Sequence, residues 1–394
     1  MSHFGIARVA LCWYNYRRSM KARTTFRLLL AAAVLAGAAG YGVQTYFYIN
    51  DLAQPVLTPL NQAYAGYANL PKKAPGLHLE PFVFNGWDGG EMQAVLVTKE
   101  GEESSRQLTV IGDLATHPAP DLQTIDYVLV CVDWDHGICS ALPLAESLTA
   151  AGLTCVLWDP RGMNDRRPYC THGLKESLDV PLLLDALAER TGQTDAVVAG
   201  VGQGYGAGLL LQAAAREPRL RGLVSLDAYA SLRESVQRTL PDSLSLLKPV
   251  ILSLMDLRFN NTVGLDSFDV APVEQASAIS RSVPVLVVNL AQDNPVSNMK
   301  DALTIYRRLR SDAREVWTLR GEGDAQDADM RMVEFKQGND EKARKVTLPV
   351  RLFPDEDSIL TAMLHWMDER VVAAVRAPRV ADPARPVLSP DIRL

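Results

Sequence analysis

The sequence predicts an α/β fold, a doubly wound and mostly parallel sheet, with a transmembrane helix near the N-terminus. The sheet is predicted because apolar, strand-like runs alternate with helix-period segments from about residue 125 onward. The helix is predicted because an apolar run over residues 28–43 follows a cluster of arginine and lysine. Interleaved strands and helices imply a sheet that is covered on both faces.

The composition is typical of a globular protein. The 394 residues are 47% hydrophobic and 22% charged, which is enough for a large core and unlike a disordered chain. The net charge of −6 and the lack of a dense lysine and arginine stripe argue against a nucleic-acid partner. The sequence has no CxxC pair, no zinc-type spacing and no GxxxxGK loop, so we expect neither a metal nor a cofactor.

The N-terminal region has the pattern of a membrane-targeting segment. Residues 1–25 are predicted to form a cytoplasmic leader, residues 26–49 a transmembrane anchor or signal, and residues 50–77 a linker. The run exceeds the roughly 7 to 15 apolar residues of a cleaved signal and approaches the roughly 20 of a span, which favours an uncleaved anchor. Small residues at 36–40 leave cleavage open, and a buried helix is the alternative. Because the nearby basic residues precede the run, the domain after it is predicted to be extracytoplasmic, and periplasmic in a bacterium.

The body of the chain begins with a predicted β-hairpin and continues with alternating elements. Residues 78–101 alternate apolar and polar positions on both sides of Asp88-Gly89, which is typical of a hairpin. The strands predicted after it lie in the segments YVLVCVDWDHG, GLTCVLWDPRG, DAVVAGVG, LRGLVSLDAYASL, VPVLVVNLAQD and AREVWTLRGEGD. The helices predicted between them are ALPLAESLTAAG, LKESLDVPLLLDALAERTG, GYGAGLLLQAAARE, SNMKDALTIYRRLRS and SILTAMLHWMDERVV. This order predicts a domain over residues 78–375.

Two segments of this region are interpreted separately. Residues 233–280 form a lid-like insertion that would cover a ligand or touch a membrane, although a helix that completes the core fits the pattern equally well. Residues 376–394 form a proline-rich tail that is predicted to be disordered.

Four cysteines lie in the body of the chain. Cys131 and Cys155 fall in strand-like runs, where small buried core residues are expected. Cys139 and Cys170 lie in loop-like sequence, so pairing between them as a disulfide stays open.

The residues at the ends of these elements resemble the α/β-hydrolase fold, whose members include esterases and peptidases. His136-Gly137 is similar to the HG that follows the third strand in that family. WDPRG, residues 158–162, is similar to the D-x-R-G after the fourth strand, and its Asp159 and Arg161 are interpreted as a structural pair. The resemblance covers about residues 78–375 and implies the fold, whereas function depends on the site.

The nucleophile elbow of that family, G-x-S-x-G, is matched to Gly200-Val201-Gly202-Gln203-Gly204. This assignment puts Gly202 where the enzymes carry serine, while the flanking glycines keep the tight turn possible. Glycine has no side chain that could attack a carbonyl carbon. The resemblance therefore implies a degenerate catalytic triad.

The acid and base positions are assigned from the same resemblance. Asp293 resembles the acid after the penultimate strand, although capping of the turn before Pro295 explains it as well. Asp324 stands where the family has its histidine, so the base position holds a carboxylate. The candidate binding residues around the remaining pocket are His136, Gly137, Gln203 and Tyr205.

Two functions follow from these assignments. The first is a noncatalytic binding or scaffold module, held to a membrane by the N-terminal helix, with a small-molecule or protein ligand. The alternative is an atypical esterase- or peptidase-like hydrolase with a nonstandard site, in which a carboxylate such as Asp324 would act as the base for a bound water. A serine triad needs nucleophile, base and acid in contact, and the assignments leave only the acid.

Overall fold

A ten-stranded mixed sheet lies at the centre of the computed structural model. The described residues are 71, 74–101, 122–133, 137–161, 169–264, 268–290, 296–321, 330–337 and 344–376. The helices and strands of the sheet domain all belong to one compact unit, Pro55–Leu394. Among these described residues, no helix combines the length and the apolar character that a membrane span requires. The predicted leader and anchor and the predicted tail beyond Arg376 lie outside the described residues.

The strands are numbered in chain order. They are β1 (Leu77–Asn85), β2 (Glu91–Lys99), β3 (Tyr127–Cys131), β4 (Cys155–Trp158), β5 (Val198–Gln203), β6 (Leu220–Leu226), β7 (Val285–Asn289), β8 (Arg314–Leu319), β9 (Met330–Gln337) and β10 (Arg344–Phe353). In space their order is β1-β2-β4-β3-β5-β6-β7-β8-β10-β9. Strands β3 to β8 and β10 run parallel to one another, whereas β2 runs against β4 and β9 runs against β10.

The helices alternate with the strands, as the sequence predicts. They are α1 (Leu142–Ala150), α2 (Asp179–Thr191), α3 (Tyr205–Ala214), α4 (Leu232–Thr239), α5 (Lys248–Val263), α6 (Pro272–Ala276), α7 (Met299–Arg308), α8 (Glu356–Trp366) and α9 (Ala373–Arg376). Six residues in π-helical conformation, Met367–Val372, join α8 to α9.

Both faces of the sheet are covered. Alternate residues of the central strands, such as Val128, Val130 and Val201, pack in one buried cluster with α1 and α8. On the opposite face α3 packs on β5 and β6, and α7 packs on β7 and β8. The predicted doubly wound α/β sheet is confirmed, and so is the hairpin, in which Asn85 of β1 lies opposite Glu91 of β2.

Most longer helices in the second half of the domain begin at a side-chain cap. Ser231 caps α4, Asn298 caps α7 in a capping box with Asp301, and Asp355 caps α8. Helix α3 differs because its N-cap residue is Gly204, which has no side chain to offer. The first amides of α3 therefore need partners from elsewhere in the fold.

The predicted insertion, residues 233–280, contains helices α4 to α6. Helix α5 buries Ile251, Met255 and Phe259 against the domain. Its opposite side exposes Val250 and Leu257. One side of α5 thus packs against the core, as the second interpretation predicted. The other side leaves apolar side chains in solvent.

The four cysteines of the body are free in the described structure. Cys131 and Cys155 are buried in strands, as predicted, and the indole Nε1 of Trp158 donates to the Cys131 sulfur over 3.0 Å. Cys170, although in loop-like sequence, is also fully buried, and Cys139 is half-buried. Burial raises the pKa of the Cys131 thiol to about 12, so this sulfur stays protonated and unreactive.

Candidate functional site

The strained turn between β5 and α3 is centred on Gly204. Its backbone has φ 53° and ψ −115°, a combination that side chains disfavour and glycine tolerates. The Gly204 amide donates to the Leu226 carbonyl over 2.8 Å, which ties the turn to the end of β6. A nucleophile elbow holds its reactive residue at this sharp strand-to-helix turn. The apex of the elbow is therefore Gly204, and the assignment of Gly202 to this position is corrected.

Gly202 is a residue of β5 that faces α3. A Cβ atom on Gly202 would lie 2.6 Å from both Cα and N of Ala207, so the helix can approach the strand only because this carbon is missing. Gly206 is equally crowded, by the backbone of Cys131. The strained turn thus fits the elbow pattern to Gly202-Gln203-Gly204-Tyr205-Gly206, two residues later than the sequence assignment, with glycine at the apex.

A carboxylate fills the space beside the apex. Asp133, two residues after β3, is half-buried, and its Oδ1 accepts a hydrogen bond from the Tyr205 amide over 3.0 Å. Both carboxylate oxygens and Cγ of Asp133 lie closer than 3 Å to the point where a Cβ of residue 204 would be. The sequence analysis did not identify Asp133. The signal that could have found it is an acidic residue just beyond the end of a buried strand, β3, that lies beside the strand leading into the elbow, β5.

The loop after β3 is held by a second carboxylate. Asp159, which follows β4, accepts a hydrogen bond at Oδ1 from the Ile138 amide over 2.9 Å. Gly137 has φ 65°, and its carbonyl accepts hydrogen bonds from the amide and the hydroxyl of Ser140. His136, predicted to bind beside Gly137, lies outside the described residues.

Arg161 forms a buried ion-pair cluster with two other aspartates. Its guanidinium donates to both oxygens of Asp88 in the β1–β2 turn and to both oxygens of Asp179 at the start of α2, over 2.7 to 2.9 Å. Burial alone would lower the pKa of Arg161, but these two carboxylates raise it overall. The predicted pairing with Asp159 is therefore revised: Arg161 ties three segments together through Asp88 and Asp179, and Asp159 binds the loop after β3.

The predicted binding residues Gln203 and Tyr205 occupy different environments. Gln203 is exposed at the end of β5. The Tyr205 ring is buried, with its centroid 5.9 Å from that of His172 in an edge-on contact, so Tyr205 presents its amide and not its side chain beside the apex. The His172 ring also lies 3.3 Å, Nδ1 to Oη, from Tyr229. The predicted role of the Tyr205 side chain in lining a pocket is thus not supported.

A buried glutamate stands behind this aromatic cluster. Glu176 accepts hydrogen bonds from the Thr171 amide and hydroxyl and from the Gly173 amide over 2.6 to 2.8 Å. Burial raises the pKa of Glu176 despite these bonds. Because it is completely buried, this carboxyl group braces the loop between β4 and α2 and is closed to a substrate.

The acid position is only partly described. Asp293 and Asp324, the predicted acid and the residue at the histidine position, lie outside the described residues. Asp227, directly after β6, is described: it has φ 50°, and its Oδ1 accepts from the Leu290 amide over 2.8 Å and from the Asn289 side-chain amide over 3.1 Å. Its carboxylate therefore joins the ends of β6 and β7.

The features expected from the family resemblance occur in the fold in their expected order. The HG dipeptide follows β3, the D-P-R-G run follows β4, and a strained elbow joins the central parallel strand β5 to α3. The described domain has the α/β-hydrolase fold.

Solved structures with a partly similar chain path include known hydrolases. An esterase from Pyrococcus furiosus has a TM-score of 0.48 at 10% identity, over 76% of this chain and 97% of the esterase. An acetyl xylan esterase from Paenibacillus sp. R4 has a TM-score of 0.44 at 20% identity, over 64% of this chain and 79% of that one. An acylaminoacyl peptidase from Pyrococcus horikoshii has a TM-score of 0.40 at 15% identity, over 64% of this chain and 37% of the peptidase.

No protein-family model matches the chain, and no curated protein sequence matches it. The fold assignment therefore rests on the strand order and the elbow geometry.

Proposed function

We propose that this protein is a membrane-anchored α/β-hydrolase-like module without serine catalysis, which binds or displays a small-molecule or protein ligand. One observation carries the proposal: the elbow apex is Gly204, which has no side chain, and the Asp133 carboxylate lies in the adjoining space. Serine hydrolysis requires a hydroxyl nucleophile and a base that takes its proton. The sequence assignment of Asp324 to the histidine position removes the base as well.

A fluorophosphonate probe tests this proposal directly. The purified domain is expected to remain unlabelled, and simple esters are expected to turn over no faster than with a heat-denatured sample. A serine esterase added to the same reaction is the positive control, because it must be labelled under identical conditions. Labelling of the unmodified domain would contradict the proposal, since a serine outside the elbow would then be activated.

The second candidate function, an atypical hydrolase, is favoured by the position of Asp133. A carboxylate beside the elbow apex could accept a proton from a bound water, which would then attack a carbonyl carbon without a covalent intermediate. On this hypothesis Asp133→Asn would abolish any measured ester turnover. Asp126→Asn is the matched control, since Asp126 precedes β3 and accepts from the Val197 amide at the opposite end of the strand. Equal turnover in wild type and Asp133→Asn would exclude this candidate.

The membrane anchor and the orientation of the domain belong to the same proposal. They are supported by the basic residues before the apolar run at 28–43, since basic segments stay on the cytoplasmic side. Protease added to spheroplasts of a bacterial host should digest the domain. A cytoplasmic reporter protein that survives the same treatment shows that the membrane is intact. Protection of the domain until detergent is added would contradict the orientation.

A further inference from the structure

The first relevant observation is steric. The carboxylate of Asp133 and a side chain at residue 204 would need the same space, because a Cβ there would approach Oδ1, Oδ2 and Cγ of Asp133 more closely than real Cβ atoms approach other atoms. Asp133 follows β3 by two residues, and Gly204 is tied to the Leu226 carbonyl by its amide. In this arrangement the carboxylate occupies the space, and a side chain at residue 204 would require Asp133 to move.

The second observation is a hydrogen bond. Asp133 Oδ1 accepts from the amide of Tyr205, the residue that follows the elbow apex. In enzymes of this fold, the amide after the nucleophile is one of the donors that stabilise the oxyanion of the substrate. This amide also opens α3, whose N-cap glycine has no side-chain acceptor, and a negative charge is favourable at that end of a helix.

Together these contacts give Asp133 a role in the fold. We propose that Asp133 is an internal occupant of the elbow: its carboxylate takes the place of the nucleophile, satisfies the donor that would bind a substrate oxyanion, and caps α3. The inference rests on the proposed noncatalytic function and deepens it, because it explains how a site without serine is kept closed and stable. It also implies that a serine introduced at the apex must displace the Asp133 carboxylate from this space.

Thermal unfolding of two matched alanine variants gives the first test. Asp133→Ala removes the carboxylate at the apex, and Asp126→Ala removes a carboxylate that accepts from the Val197 amide over 2.7 Å at the other end of β3. Asp133→Ala should lower Tm by about 3 °C, as expected for the loss of a helix cap. Sodium formate, a small carboxylate that fits the vacated space, should restore part of this loss relative to sodium chloride at equal ionic strength. The same formate should leave Asp126→Ala unchanged.

Two outcomes of these Tm measurements would contradict the role of Asp133. An unchanged Tm in Asp133→Ala would show that the carboxylate does not cap α3. Equal recovery of Asp133→Ala in formate and in chloride, or equal recovery of both variants in formate, would show that the vacated space has no particular affinity for a carboxylate.

A double-mutant cycle gives the second test. Gly204→Ser should lower Tm, because its Cβ forces the Asp133 carboxylate to move and because a φ of 53° disfavours a side chain. Gly204→Ser combined with Asp133→Ala should be more stable than Gly204→Ser alone, since the overlap is gone. Gly204→Ser combined with Asp126→Ala is the control, and its two effects should simply add. If the Tm changes of Gly204→Ser and Asp133→Ala also simply add, the carboxylate does not compete with a side chain at the apex and the inference fails.

The outcomes separate this inference from the proposed function. Additive behaviour in the cycle, with no fluorophosphonate labelling of wild type, would refute the role of Asp133 and leave the noncatalytic function intact. Labelling of wild type together with a strong coupling between residues 133 and 204 would refute the noncatalytic function and retain Asp133 as the occupant of the elbow.

Discussion

Two arginine clusters lie at opposite ends of the parallel strands, and they differ in how much water reaches them. The end at which these strands finish is called the carboxyl edge of the sheet, and the end at which they begin is called the amino edge. At the carboxyl edge, Arg161 binds Asp88 and Asp179, and the side chains of Arg161 and Asp179 are 7% and 0% exposed. At the amino edge, Arg219 binds Glu217 and Asp185 before the start of β6 and is 22% exposed; its partner Glu217 is 4% exposed, whereas Asp185 is 63% exposed.

The two ends of β3 differ in what their half-buried carboxylates contact. Asp126 at the amino edge accepts from one loop amide, whereas Asp133 at the carboxyl edge accepts from the first amide of α3 and fills the space of a missing side chain. The carboxyl ends of parallel strands are where α/β folds usually bind ligands. Here two charged groups at that edge, Asp133 and Arg161, are bonded to segments far apart in the sequence.

The largest difference between the edges is expected on removing the two arginines. Arg161→Met leaves Asp179 buried without its cation and should cost about 3 to 5 kcal/mol in the free energy of unfolding. Arg219→Met should cost less, about 2 kcal/mol, because solvent reaches Asp185 and the buried Glu217 keeps a hydrogen bond from the backbone amide of residue 219. Urea denaturation of both variants against wild type measures the two losses. Equal losses would show that burial does not distinguish these clusters.

A smaller difference in the free energy of unfolding is expected between alanine variants of two glycines. Gly202→Ala, at the carboxyl edge, forces a methyl group against the backbone of α3 and should cost about 3 kcal/mol. Gly192→Ala, at the C-terminus of α2, keeps a φ of 74° that disfavours a side chain but meets no atom within 4 Å, so about 1 kcal/mol is expected.

The same denaturation experiment compares the two glycine variants. A Gly202→Ala protein as stable as Gly192→Ala would mean that α3 can move away from β5, and the close packing beneath the elbow would then be less rigid than its short distances imply.

The pH dependence of stability should reveal the buried carboxyl group at Glu176. Burial raises its pKa in the folded protein above the unfolded value, so ionisation opposes folding. The stability of wild type relative to Glu176→Gln should be highest below the unfolded pKa and should fall as the pH rises through the folded pKa. Tm values of both proteins between about pH 4 and about pH 7 measure this difference. A difference that grows with pH would contradict the assignment.

The smallest effect is expected at Asp355, an exposed cap on α8. Its hydrogen bonds with Ser358 lower its pKa, so its contribution to stability is present above the unfolded pKa and is lost as the pH falls through the folded value. Asp355→Ala should therefore be slightly less stable than wild type near neutral pH and equal to it in acid. The opposite slope to that of Glu176→Gln distinguishes an exposed cap from a buried carboxyl group.

Much of the fold could be predicted from local sequence. The alternation of strands and helices, the hairpin around Asp88-Gly89 and the burial of Cys131 and Cys155 all follow from apolar periodicity and turn residues, because these depend on neighbours within a few positions. The absence of serine from the elbow could also be predicted, since no serine lies in the glycine-rich run from Gly200 to Gly208.

The exact position of the apex could not be predicted. Glycine occurs at every second position from Gly200 to Gly208, so the elbow pattern fits in more than one register. The choice depends on which glycine has the strained backbone and which glycines touch α3, and both are properties of the packed strand and helix. Packing selects Gly204 for the turn and assigns Gly202 to the contact with Ala207.

The sequence by itself determined the fold class and the lack of serine between Gly200 and Gly208, because periodic burial and residue identity are local properties. Only the tertiary structure decided the partners of the charged groups. Asp133 meets the Tyr205 amide across 72 positions, and Arg161 meets Asp88 across 73. Such contacts depend on how parallel strands align at one edge, and a carboxylate in the sequence carries no sign of the amide or guanidinium that folding will bring to it.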